Sequence, residues 1–200
     1  MNNYEKMMEA AKQRFTSYDM RLLTTRCGVT DLGAFLETRF FDRRVLISKA
    51  TGEMTVDGRS ANFGETLSVF DWLCDAKPDA CAAGDYCLVS QLSRVYVSGG
   101  GLSMNADAFA DQVQQHPEQF RTACEKMGGK AVPLGDMGYE IPVFSNLSMR
   151  LKFYFADEEF PASLSFLWDK HTLDFVRYET VYYIAGCLRS CLTKGMHAET

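Results

Sequence analysis

The sequence predicts an α+β fold: a single domain with a mixed, mostly antiparallel sheet, flanking helices and a C-terminal helix. Three observations carry that prediction. Apolar and polar residues alternate in two separate blocks, residues 34–56 and 139–168. Segments of helical period lie before, between and after those blocks. The order of the segments lacks a regular β-α-β rhythm, which argues against a doubly wound sheet.

Residues 4–15 carry Met7, Met8, Ala11 and Phe15 at helical spacing with charges between them, so a first helix is predicted. Residues 17–28 read as a connecting segment. Between Ala34 and Val56, Phe35, Phe40, Phe41, Val45, Ile47 and Val56 are separated by charged residues, and turn signals stand at Ala50-Thr-Gly52 and Val56-Asp-Gly58. This is the texture of a short antiparallel meander. Asn62-Phe-Gly-Glu65 has the form of a capping box, a small polar residue followed three later by Glu. The helix it opens turns Leu67, Phe70, Trp72, Leu73 and Cys74 inward and stops before Pro78.

Asp75 to Asp85 reads as a loop of small residues, and Cys87 to Val97 as extended chain, most clearly at Val95-Tyr-Val97. The triplet Gly99-Gly-Gly101 lacks the Lys-Ser or Lys-Thr pair of a P-loop, and the dinucleotide fingerprint is missing too, so it reads as a flexible turn. Two short helices are predicted at 105–115 and 117–127, with Pro117 at the first position of the second and Gly128-Gly129 at its stop. Strands are predicted at 139–144, 149–156 and 162–168. In the middle one, Leu151, Phe153 and Phe155 share a face opposite Lys152 and Tyr154. A final helix, 177–193, carries Val181, Ala185, Leu188 and Leu192 on one stripe and is expected to end at Gly195.

The totals exclude several function classes. Net charge is −5 over 200 residues. The densest basic cluster, Arg39 to Arg44, is interrupted by Phe40, Phe41 and Asp42 and reads as the wet side of a strand pair. Nucleic-acid binding needs clustered Lys and Arg, so no nucleic-acid partner is expected. Charges break the first residues every few positions, so no signal-peptide core is present, and no apolar run reaches the roughly 18 residues of a membrane span. No membrane association and a cytoplasmic location are therefore expected. Seven cysteines, an odd number without any C-x-x-C, read as buried small hydrophobes in a reducing compartment, and no metal site is predicted. His116, His171 and His197 are scattered, with His197 in the terminal tail.

One stretch stands out. Ala156-Asp-Glu-Glu-Phe-Pro-Ala-Ser163 sets three carboxylates and a proline between two apolar strands. Its first reading is a hairpin connection whose charges keep the flanking strands from pairing with other molecules. Its second is a site, in which a carboxylate against aromatic surface has a raised pKa and moves a proton. On that reading Asp157, Glu158 and Glu159 are the candidate catalytic residues, with Glu179 as a partner. Asp136 and Asp169 are the carboxylates that could join them. With His171 and Trp168 they make the candidate ligand-binding set.

The order Gly135-Asp136, Ile141-Pro-Val143, Ala156-Asp-Glu-Glu-Phe-Pro161, Leu167-Trp-Asp169 and Tyr178-Glu179 resembles a prokaryotic family of unknown function, domain of unknown function 3786. Ala156 stands where the family pattern expects Gly, and Trp168 where it expects Phe; both keep small or aromatic character. The resemblance spans residues 30–193. It divides the 1–200 domain into an N-terminal helical segment at 1–28, the family-like core and a tail at 194–200. It implies no reaction. The family's occurrence in anaerobes, with some members fused to an iron–sulfur domain of the corrinoid-protein kind, implies an association with corrinoid or one-carbon metabolism.

Three functions follow as expectations. The first is a ligand-binding or accessory protein, for a corrinoid, another tetrapyrrole or a different small molecule. The second is an enzyme using carboxylate acid–base chemistry at 157–159. The third is an interaction module whose acidic loop docks on a protein partner.

Overall fold

The computed structural model describes residues 2–92 and 107–197. The first helix, α1 (Asn3–Thr16), opens on a reciprocal cap: Glu5 N–H donates to Asn2, whose own N–H donates to the Glu5 carboxylate. Ala11 and Phe15 form its buried stripe. The connecting segment expected at 17–28 contains a short helix, α2 (Met20–Thr24), because Asp19 caps its first amides and Leu23 is buried.

The first sheet is a meander of β1 (Thr30–Asp31), β2 (Phe35–Phe40), β3 (Arg43–Ser48), β4 (Met54–Val56) and β5 (Arg59–Ser60), each antiparallel to the next. Leu36, Phe40, Val45, Ile47, Met54 and Val56 fill its inner face. Two hairpins close on two-residue turns with positive φ at both positions, Phe41-Asp42 (52° and 57°) and Asp57-Gly58 (49° and 80°). Only the second carries the expected turn residues. A phenylalanine at positive φ is strained. Phe41 tolerates the strain because its ring is fully buried against Phe40 and its N–H donates to the Val143 carbonyl at 3.1 Å.

The helix α3 (Phe63–Asp75) begins at the predicted capping box, with Glu65 N–H on Asn62 and Asn62 N–H on Glu65. Every residue from Glu65 to Cys74 is buried, so this helix is enclosed on all sides, against α1 and the last helix among others.

The second sheet is assembled from β6 (Tyr86–Leu88), β7 (Lys130–Ala131), β8 (Met137–Phe144), β9 (Leu147–Tyr154) and β10 (Ser163–Asp169), in the spatial order β6-β10-β9-β8-β7. The extended chain expected from Cys87 gives way to a single 3-10 turn at Val89–Gln91. Val95-Tyr-Val97 and Gly99-Gly-Gly101 lie outside the described residues. Between β6 and β7 come α4 (Asp107–Gln115) and α5 (Pro117–Lys126), the two predicted short helices. After β10 come α6 (Thr172–Phe175) and α7 (Tyr178–His197). The class is α+β, as predicted, and its strands divide between two antiparallel sheets.

Gly195 does not end α7. A Cβ at Gly195 would stand 2.9 Å from the Ala123 Cβ, so the glycine lets α7 approach α5 closely instead of stopping the helix. His197 accordingly still lies in the helix, its Nε2 2.8 Å from the Gln112 amide of α4.

One aromatic stack joins the two sheets to α3. The Trp72 indole lies flat on Phe144 (4.5 Å, 5°), and Phe144 lies on Phe40 (5.3 Å). Trp72 Nε1 also donates to Asn146 Oδ1 at 3.3 Å.

Candidate functional site

The three carboxylates sit on the connection between β9 and β10, and all of them are exposed. The backbone of that connection is held almost amide by amide. Phe155 N–H donates to Asp136 Oδ2 (2.8 Å) and Ala156 N–H to Gln114 Oε1 (2.7 Å). Asp157 N–H reaches the Phe160 carbonyl (3.0 Å), while Asp157 Oδ1 accepts from Glu159 N–H (2.9 Å) and Phe160 N–H (2.8 Å). These two amides hold the Asp157 carboxyl below the ordinary carboxylate range, so at neutral pH it is an acceptor and not a proton donor. Glu158 and Glu159 are exposed, and their carboxylates make no hydrogen bond or ion pair among the described residues. Phe160, between them and Pro161, is 65% exposed, and Phe155 is 38% exposed with its ring edge-on to Phe153 (5.1 Å).

Asp136 thus belongs with this loop. Trp168, Asp169 and His171 gather instead at the far end of β10. Trp168 is fully buried on the strand's core face with Leu164 and Phe166, and its Nε1 has no hydrogen-bond partner among the described residues. Asp169 is fully buried as well. Its Oδ1 accepts from Ala83 N–H (3.0 Å) and His171 N–H (2.8 Å), and its Oδ2 from Gly84 N–H (2.7 Å). His171 is exposed, and its Nδ1 donates to the Cys81 carbonyl at 2.9 Å. The corner is a latch on the loop that carries Cys81 to Asp85. Asp169→Ala should leave three amides without acceptors and cost about 2–4 kcal/mol, with Asp169→Asn costing less because one oxygen remains. Urea unfolding, with limited proteolysis at residues 81–85 as a local readout, measures both.

Glu179 is in neither group. It lines a cleft of about 470 Å³ between α1, α3 and the start of α7. Polar residues that the sequence reading did not single out make one side of it. Arg14 Nη1 bridges both oxygens of Asp75 (2.8 and 3.0 Å), and its Nη2 reaches Asp71 Oδ1 at 2.6 Å. Thr180 Oγ1 donates to Asp71 Oδ2, and Arg177 Nε lies 2.7 Å from Asp75. Arg14 and Asp71 are far apart in sequence and carry no motif. The one available signal is that Arg14 interrupts the stripe made by Ala11 and Phe15.

Four cysteines, Cys74, Cys87, Cys124 and Cys187, are buried. Burial pushes the Cys74 thiol up to about 11 and that of Cys187 to about 12, so both are packing groups at neutral pH. Among the described residues no group of three or more His, Cys, Asp or Glu could hold a metal ion, and no helix is long and apolar enough to cross a membrane.

No curated protein and no solved structure matches the chain. A family model described as a domain of unknown function, DUF3786, matches residues 19–190, beginning earlier than the resemblance at 30–193 and reaching nearly as far. With most of its length covered by that match, the chain belongs to the DUF3786 family.

Proposed function

We propose that this protein is an accessory protein that docks on a protein partner through the loop between β9 and β10. One observation carries the reading: Phe160 projects from a loop whose backbone is already locked by its own hydrogen bonds, with free carboxylates at Glu158 and Glu159 beside it. Aromatic side chains, Phe among them, are enriched at the cores of protein–protein interfaces. A loop that is ordered before binding loses little entropy on binding. The flanking charges favour a partner with a basic rim around an apolar pocket, and they would speed its approach at low salt. The association with corrinoid or one-carbon metabolism implied by the family resemblance makes a cytoplasmic protein of that metabolism the first partner to test.

The geometry lends less to acid–base catalysis at this loop, since Asp157 is occupied by two amides and its neighbours face outward. The experiment is photo-crosslinking from position 160 in a lysate of the host organism, followed by affinity measurement with the purified captured protein. Phe160→Ala should weaken binding at least about tenfold. The pair Glu158→Lys and Glu159→Lys should slow association and flatten its salt dependence. Affinity that ignores both salt and these substitutions would reject the reading.

A further inference from the structure

We draw no further inference here: the strongest candidate, the slot of about 230 Å³ between β2 and the end of β8, carries nothing because its buried unpartnered hydroxyl, Thr38 Oγ1, is sealed off from any occupant, while the charges at its mouth already pair as Arg39 with Asp42 and Glu37 with Arg44.

Discussion

Glu65→Ala is expected to remove about 3–5 kcal/mol of stability, enough to unfold many domains of this size. Glu65 is 1% exposed and all of its acceptor positions are taken. Its Oε1 receives Arg43 Nη1 (2.9 Å) and Arg59 Nη2 (2.6 Å), and its Oε2 receives Arg59 Nη1 (2.9 Å) and the Asn62 N–H (2.9 Å). The substitution would strand Arg43, whose Nε and Nη2 are buried and already without partners. It would also break the cap that starts α3. Glu65→Gln keeps the shape and one acceptor, so a smaller loss is expected, read from urea midpoints at unchanged slope.

The same group sets a pH dependence. Burial pushes the Glu65 carboxyl up, but the Arg59 hydrogen bonds, the Asn62 amide and the charges of Arg43 and Arg59 outweigh it and hold the group below the ordinary carboxylate range. A carboxyl depressed in the folded state adds stability that is complete above its unfolded pKa and disappears as pH falls through the folded value. The native protein should therefore lose stability on acidification below the usual carboxylate range. Glu65→Gln, which has no proton to take up, should show a shallower loss. Urea titrations of both proteins at neutral and acid pH measure the difference in slope.

Trp72→Ala should cost about 3–5 kcal/mol through the cavity it leaves. The damage would not stay local, because Trp72 is where α3, β8 and, through Phe144, β2 meet. Trp72→Phe keeps an aromatic face against Phe144 and drops only volume and the bond to Asn146, so its cost should stay near 1–1.5 kcal/mol, about a third of the alanine value. Thermal unfolding of the pair separates stacking from the hydrogen bond.

Much of this architecture was legible because its signals are short-range. The capping box at Asn62 to Glu65, the turn at Asp57-Gly58 and the start at Pro117 are satisfied within a few residues of themselves. The failures are tertiary. Gly195 looks like a stop only until Ala123 is known to lie against it, and Phe41 gives no turn signal because burial, not local propensity, holds its backbone. The prominent loop is legible in the sequence, since three consecutive carboxylates are visible in one dimension. What they do is not, because their orientation depends on Asp136 and Gln114, residues that lie 19 and 42 positions from their partners. The cleft was missed for the same reason: Arg14 meets Asp71 and Asp75 across 57 and 61 positions.

The pairing of β6 with β10 has a consequence for how the chain is made. The first sheet closes between neighbours in sequence, so it can form as soon as its residues emerge. Tyr86 has to wait for Asp169, some 80 residues later, before its strand has a neighbour. On a translating ribosome the first sheet would therefore stand paired while β6 waits without a neighbour and α3 waits for the cover of Phe144 and α7. The Asp169 latch would close next, and α7, the last element made, would dock on α3 and α5 and turn the two sheets into one cooperative unit.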